Sequence, residues 1–290
     1  VLDAVTVLSM LLGEAVDEGL IGANPCRRLR LDDGEADERP RASAWQVRDM
    51  VRRCSGGDAV LVVTAAYTGL RWGEPAGLGW ERVDLARGTI TVDAKKGALH
   101  EVDGRLVLGP PKTKVSARTV HLPPFLVDRL TFHRSERDHE FVLTGATGGL
   151  HRRSNFRHRV WLPLVEGDPV RCWAPILPGM HFHDLRHTHK TWLIEDGVPE
   201  VVQYKRPGHR YRGVQGIYSH VTHVMVNGMP DGLQARWERS VAVVGAGTAA
   251  TYGGGAVTAY GEDDHIKIVC SHFAPTDAER PVDVDHQPAV

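Results

Sequence analysis

The chain has 290 residues, 42% of them hydrophobic and 24% charged, with 35 Lys and Arg against 36 Asp and Glu for a formal net charge of −1. That balance belongs to an ordinary soluble globular protein with enough length to bury a sizeable core, and it argues against collagen-like or low-complexity chains. The four cysteines, at 26, 54, 172 and 270, form no C-x-x-C pair and no apolar run spans a bilayer, so a zinc ribbon, a disulfide framework and a membrane anchor are disfavoured and a reducing cytoplasm is expected.

The near-neutral total hides an asymmetry. Residues 1–40 and residues 241–290 each carry a net −5, whereas 41–240 hold 29 basic and 20 acidic residues, a net +9. A basic centre between acidic ends fits a nucleic-acid surface.

In chain order, apolar groups at 1, 4, 5, 8, 11, 12, 15 and 16 predict a helix over residues 1–20, ended by Gly19 and Gly22. Residues Arg27 to Pro40 read as a charged linker. Ser43-x-x-Gln46 is a capping box that opens a helix to about Arg53. The apolar run 58–68 predicts a buried helix broken by Gly69. Thr89–Val92, Leu106–Leu108 and Arg118–Leu122 predict strands of one small antiparallel sheet over 88–122. A helix follows from Pro124 towards Arg137, then a short strand at Phe141–Leu143. Ser154 to Val165 predicts a helix whose visible face is basic, flanked and lined by Arg152, Arg153, Arg157, His158 and Arg159. Further helices are predicted at 184–195, Pro199–Tyr204 and about 211–220, and the Gly/Ala-rich stretch 241–290 reads as a disordered tail. The fold class is therefore α+β, mainly α-helical with a small antiparallel β-sheet.

The densest chemistry lies in His181-Phe-His-Asp-Leu-Arg-His-Thr-His-Lys-Thr-Trp192, with four histidines, an arginine and a lysine at the mouth of a predicted helix. His183 and Arg186 are three apart and share a helical face, which suits proton exchange beside neutralisation of a phosphate oxygen. Arg71, at a helix junction, has the planar fork for a phosphate. Lys112 precedes a strand and has a readily tuned ammonium that suits a general acid. His209 follows Gly208, and Tyr218 lies nine residues further on. A tyrosine, with an ordinary pKa of about 10, needs a cationic pocket and a base to attack phosphorus.

The order Arg, Lys, His-x-x-Arg, Gly-His, Tyr resembles the tyrosine recombinase (phage integrase) family. The phrases that carry it are T-G-L-R-W-G-E at 68–74, P-K-T-K-V-S-A-R-T-V at 111–120, F-H-D-L-R-H-T-H at 182–189, G-H-R at 208–210 and I-Y-S-H-V-T at 217–222, and the likeness runs from about Ser43 to Val226. The resemblance implies a catalytic domain over 43–240, preceded by a linker at 32–42 and by the last helix of a truncated core-binding domain at 1–31. It implies that Arg71 and Arg186 grip the scissile phosphate, with Glu74 buttressing Arg71. Lys112 would protonate the departing 5′ oxygen, His183 would serve in proton transfer, His209 would bond the phosphate, and Tyr218 would attack. It further implies double-stranded attachment-site DNA as partner, assembly as a homotetramer, and chemistry without metal or other cofactor. Arg152, Arg153, Arg157, Arg159, Lys114 and Arg118 are candidates for holding DNA. Pro75 and Pro207 depart from the family pattern, which puts the positioning of the neighbouring residues in question.

Three other readings compete. A metal-dependent nuclease would use the histidines, but Asp184 is the only carboxylate among them and Arg186 would repel a cation. A DNA-binding remnant would keep the basic face without cleaving. A type IB topoisomerase shares the chemistry, but fits the short chain and the phrasing around His183 and Tyr218 less well.

Overall fold

The computed structural model describes residues 2–29, 39–136, 139–145, 148–209 and 222–242. They form two compact units, Val1–Arg39 and Pro40–Val290. The expected helix at about 211–220, the tail beyond 242, and most of the linker fall outside the described residues.

In the first unit the periodic stripe becomes α1 (Leu2–Asp17). Asn24 ties the following turn back to it: its Nδ2 donates to the Ser9 carbonyl at 2.7 Å, and its Oδ1 accepts from the Cys26 amide at 2.9 Å. That side chain also caps the 3₁₀ turn Pro25–Arg28.

The second unit is built around α3 (Gly56–Thr68), which is buried from Ala59 to Thr68. A helix apolar on every side must be enclosed on every side, and the neighbouring elements supply the enclosure. They are α2 (Ala44–Arg53), α5 (Pro124–Ser135), α8 (Asp184–Glu195) and α10 (His223–Ala242). The Tyr67 ring of α3 meets Phe125, Trp192 and Trp237, one aromatic from each of α5, α8 and α10, with centroids 4.8, 5.0 and 5.8 Å away. The predicted capping box is complete: Ser43 Oγ accepts from the Gln46 amide at 3.1 Å, and Gln46 Oε1 accepts from the Ser43 amide at 2.8 Å.

The strands correct the expected single sheet. β1 (Val83–Asp84), β2 (Thr89–Val92) and β5 (Arg118–His121) form an antiparallel sheet in the order β1-β2-β5, with Ile90 opposite Val120. The segment around Leu106–Leu108 pairs elsewhere, as β4 (Arg105–Gly109) against β3 (Ala98–Val102) in a separate hairpin. Leu106 therefore does not bridge Thr89–Val92 to Arg118–His121; the hairpin is an insertion between β2 and β5. Phe141–Leu143 forms no named strand; it makes an isolated bridge, Gly79 to Phe141, and a hydrogen bond from the Val142 amide to the Leu78 carbonyl at 2.8 Å, and the Val142 carbonyl bonds the His133 ring at 2.7 Å.

The basic helix is continuous but irregular. α6 (Arg153–Phe156) passes through a π turn at Arg157–Trp161 into α7 (Leu162–Glu166). Pro163 lies two residues after the π turn; it has no amide to return to the Arg159 carbonyl, and a local widening accommodates that loss. Two more elements complete the unit, α4 (Gly73–Ala76) and α9 (Glu200–Lys205). The architecture is α+β, predominantly helical with small antiparallel sheets, the class expected from the sequence. Among the described residues no helix is long and apolar enough to cross a membrane.

Candidate active site

Arg71 owes its place to the way α3 ends. Gly69 closes the helix in the left-handed region (φ 66°), its amide donating to the Ala65 carbonyl at 3.0 Å. A Cβ on Gly69 would lie 2.8 Å from the His189 ring, so both the dihedral and the space call for glycine. Three residues after Arg71, Glu74, 3% exposed, accepts the backbone amide of Arg71 on Oε2 at 2.9 Å. Pro75 falls within the first turn of α4, where its absent N–H leaves no partner wanting, so this departure costs the site nothing.

Glu74 is the carboxylate that the arginines converge on. Arg118 forks onto it, Nη2 to Oε2 at 2.9 Å and Nη1 to Oε1 at 3.1 Å, and Arg71 Nη1 reaches Oε1 at 3.4 Å. Arg118 also donates to the carbonyls of Ser116, at 2.7 Å, and Arg206, at 2.6 Å. Its side chain is only 5% exposed. The expectation that Arg118 faces DNA is therefore corrected: buried beside a buried carboxylate, it is more stable turned inward as that carboxylate's counter-ion.

Arg71 and Arg186 meet on the far side of this pair. Arg71 Nη1 donates to Ser116 Oγ at 3.0 Å and to the Pro207 carbonyl at 3.4 Å. Arg186, 5% exposed, donates through Nη1 to the Gly69 carbonyl at 2.7 Å, and through Nη2 to the Pro207 carbonyl and to Nε2 of His209, the latter at 2.9 Å. Burial first, then the charges of Arg71 and Arg118, lower Arg186 from the usual arginine range to about 9, which still leaves it charged at neutral pH. Like charges held this close favour any anion that enters among them.

His209 is set by the turn that ends α9. The His209 amide donates to the Tyr204 carbonyl at 2.9 Å and the Gly208 amide to the Lys205 carbonyl at 3.0 Å, with Gly208 at φ 73°. This is a Schellman closure, with glycine at its left-handed position. A Cβ on Gly208 would stand 3.0 Å from Ser116 Cα, so the turn packs directly on the loop before β5. Pro207, with no amide to donate, precedes Gly208 in the closure, and its carbonyl is shared by Arg71 and Arg186. The sequence left the effect of Pro207 open; its geometry is compatible with both arginines.

The histidines of the 181–189 stretch diverge. The His181 side chain is 69% exposed, with its ring 3.7 Å from Asp184. His183, exposed at the mouth of α8, lies against His187 with ring centroids 5.5 Å apart. Burial, then Arg186 and His187, lower His183 from its ordinary 6.5 to about 4. Burial, then Arg186 and Arg71, do the same to His209, also to about 4. Both rings are therefore neutral at pH 7. Because Arg186 donates to Nε2 of His209, the ring proton of that histidine sits on Nδ1. His189 turns inward, away from the other three. Among the described residues no three of His, Cys, Asp or Glu come together to hold a metal.

Lys112 stands exposed in the loop between β4 and β5, four residues before Ser116; no contact fixes its ammonium among the described residues. Tyr218 lies outside the described residues. Of the basic candidates, Arg152 donates to the Gly104 carbonyl at 2.7 Å, while Lys114, Arg153, Arg157 and Arg159 are exposed. Sequence reasoning missed Ser116, Arg206 and the Pro207 carbonyl, and gave Arg118 the wrong task. Ser116 and Arg118 were visible in the phrase P-K-T-K-V-S-A-R-T-V; nothing local distinguishes Arg206 from a solvated arginine.

Comparison with known proteins adds an independent line. Residues 44–224 match the model of the phage integrase family. The chain is 27% identical over 228 residues to a XerC-like tyrosine recombinase of Caldanaerobacter subterraneus subsp. tengcongensis, covering 71% of this chain and 58% of that one. It is 28% identical over 224 residues to the ICEBs1 integrase of Bacillus subtilis, covering 70% of this chain and 56% of that one. The chain thus spans little more than half the length of these relatives. Its fold matches that of the Tn1549 transposon integrase, solved in complex with a circular intermediate DNA, at a TM-score of 0.60 and 18% identity over 82% of this chain and 78% of that one.

Proposed function

The chain belongs to the phage integrase family, and on that premise we propose that it is a site-specific DNA recombinase that cleaves and rejoins double-stranded DNA through a 3′-phosphotyrosyl intermediate. The observation that carries the reading is the charge imbalance of the pocket. Arg71 and Arg118 share a single carboxylate, Glu74, each supplying two of the four hydrogen bonds it accepts, and Arg186 stands beside them bonded to neutral groups. Three guanidiniums against one carboxylate leave a surplus of positive charge where Arg71 and Arg186 meet at the Pro207 carbonyl. A phosphodiester brings one negative charge and gains more as a nucleophile adds, so a fixed cationic pair binds the transition state more strongly than the ground state.

In this reading the Tyr218 oxygen attacks phosphorus and the bond to the 5′ oxygen breaks, with Lys112 delivering the proton to that oxygen. His183, neutral and exposed at the mouth of α8, accepts the tyrosine proton. His209 presents its Nδ1–H to a phosphate oxygen while Nε2 holds Arg186. The tyrosyl ester conserves the bond energy for rejoining, and the residues of this scheme supply its proton transfers and charge neutralisation. Exposed Arg153, Arg157, Arg159 and Lys114, with Arg152 at their edge, would track the DNA backbone. Attachment sites as the substrate and a homotetramer as the working assembly follow from the family premise.

The test is a pool of nicked duplexes of randomised sequence, from which protein-bound strands are recovered under denaturing conditions. Wild type is expected to accumulate a covalent adduct, and Tyr218→Phe and Arg186→Ala to form none. DNA binding without any adduct in wild type would favour the non-cleaving remnant. Cleavage lost in EDTA and restored by a divalent metal would favour the nuclease.

A further inference from the structure

Arg206 takes no part in the scheme above, yet it is a charged side chain only 5% exposed. Its Nε donates to Nε2 of His189 at 2.8 Å, and its Nη2 donates to the Tyr67 carbonyl at 3.0 Å. His189, 1% exposed, donates in turn from Nδ1 to the Ala66 carbonyl at 3.0 Å. The imidazole is thus held neutral in one tautomer, an acceptor for the guanidinium and a donor to α3. A buried cation whose bonded side-chain partner is a neutral ring is an expensive way to fill space; a methionine would fill it without desolvating a charge. Packing alone does not call for this arginine.

What the arrangement achieves is placement. The stretch from Arg206 to His209 supplies four of the contacts that shape the pocket. They are the Arg206 carbonyl to Arg118, the Pro207 carbonyl to Arg71 and Arg186, and the His209 ring to Arg186. The side chain of Arg206 fastens that same stretch to the last turn of α3, through Tyr67, and to α8, through His189. α3 leads into Arg71, and α8 carries Arg186 three residues before His189.

We propose that Arg206 and His189 form a positioning pair that locks the 206–209 turn between the end of α3 and α8, so that the Pro207 carbonyl and the His209 ring meet Arg71 and Arg186 in register. The pair touches no substrate, and its role rests on the reading of the pocket as a phosphate site.

The experiment uses the full chain and inorganic phosphate as the probe. In the double variant Arg206→Met with His189→Phe, both polar side chains are replaced by apolar groups of similar bulk, which removes the buried charge but also takes the donors from the Tyr67 and Ala66 carbonyls, so the variant is expected to fold with a lowered midpoint. Three quantities are measured: the thermal midpoint, the phosphate Kd by calorimetry, and the titration of His209 by NMR. The expected result is a folded variant with a lowered midpoint, phosphate binding weakened by about tenfold or more, the scale of one charge-assisted contact, and a His209 titration that moves up towards the ordinary histidine range as its bond to Arg186 loosens. Unchanged phosphate affinity and unchanged His209 titration in a stable double variant would reduce the pair to packing and overturn the proposal. If the double variant does not fold, Arg206→Lys takes its place, because lysine keeps the charge but lacks the fork that reaches both His189 and Tyr67. The same two losses support the pair, and wild-type values in both overturn it. Failure of wild type itself to bind phosphate would count against the phosphate site, while the His209 titration in the same variants would still decide the pair.

Discussion

Glu74 shows how much rests on one side chain. It lies 3% exposed between Arg71 and Arg118, and it also accepts the Arg71 amide. Glu74→Gln keeps the shape but strands a buried guanidinium, so it is expected to destabilise the fold by about 3–5 kcal/mol, measured by urea unfolding. The histidines give a second expectation. Folding lowers His183 and His209 from 6.5 to about 4 and pushes His189 well below 6.5, in each case by burial first. Between those values the unfolded chain holds protons that the folded chain does not, so acid favours unfolding. The thermal midpoint should therefore rise as pH goes from about 4 to 6.5 through these three groups, and replacing His189 with Phe in the Arg206→Met background should flatten part of that rise.

At the scale of elements, the glycines that end helices mark the site better than the helices do. Gly208→Ala puts a side chain in the left-handed region and a Cβ 3.0 Å from Ser116 Cα. It should cost at least about 1–2 kcal/mol from the dihedral alone and disturb His209 with it, observable as a lower thermal midpoint together with a shifted His209 titration. Much of this was legible in the sequence, and for physical reasons. The capping box at Ser43 and Gln46 is a local signal, as is the apolar run of α3, and both became the elements expected. Arg71, Arg186 and His209 were legible because each follows a fixed chain signal: a helix-ending glycine, a helical i, i+3 spacing, a Gly-His turn. The pairing of β4 was not, because three short strands carry no register of their own, and the inserted hairpin satisfies its backbone bonds with β3 instead. Nor was the π turn before Pro163, which a 3.6-residue periodicity absorbs without trace. The inward place of Arg118, and the part played by Arg206, were illegible for one shared reason. Whether an arginine faces solvent or a buried partner is decided by contacts 44 and 17 residues away in the chain, to Glu74 and His189.

Over the whole molecule, charge and chain organisation point the same way. The net +9 of residues 41–240 is not spread evenly. Part of it is internal, in Arg71, Arg118, Arg186 and Arg206, and part is exposed, in Arg153, Arg157, Arg159 and Lys114. In the proposed reading Arg71 and Arg186 meet a single phosphate, Arg118 and Arg206 hold the pocket in shape, and the exposed arginines and lysine follow a DNA backbone. In the proposed mechanism this pocket presents a phosphate to Tyr218. The most direct measurement is to digest the covalent complex trapped on nicked duplex DNA in EDTA and identify by mass spectrometry the peptide that carries the nucleotide. The account predicts a 3′-phosphate ester on Tyr218 and a free 5′-hydroxyl on the released strand; attachment to any other residue, or a 5′-phosphate on the released strand, would contradict it.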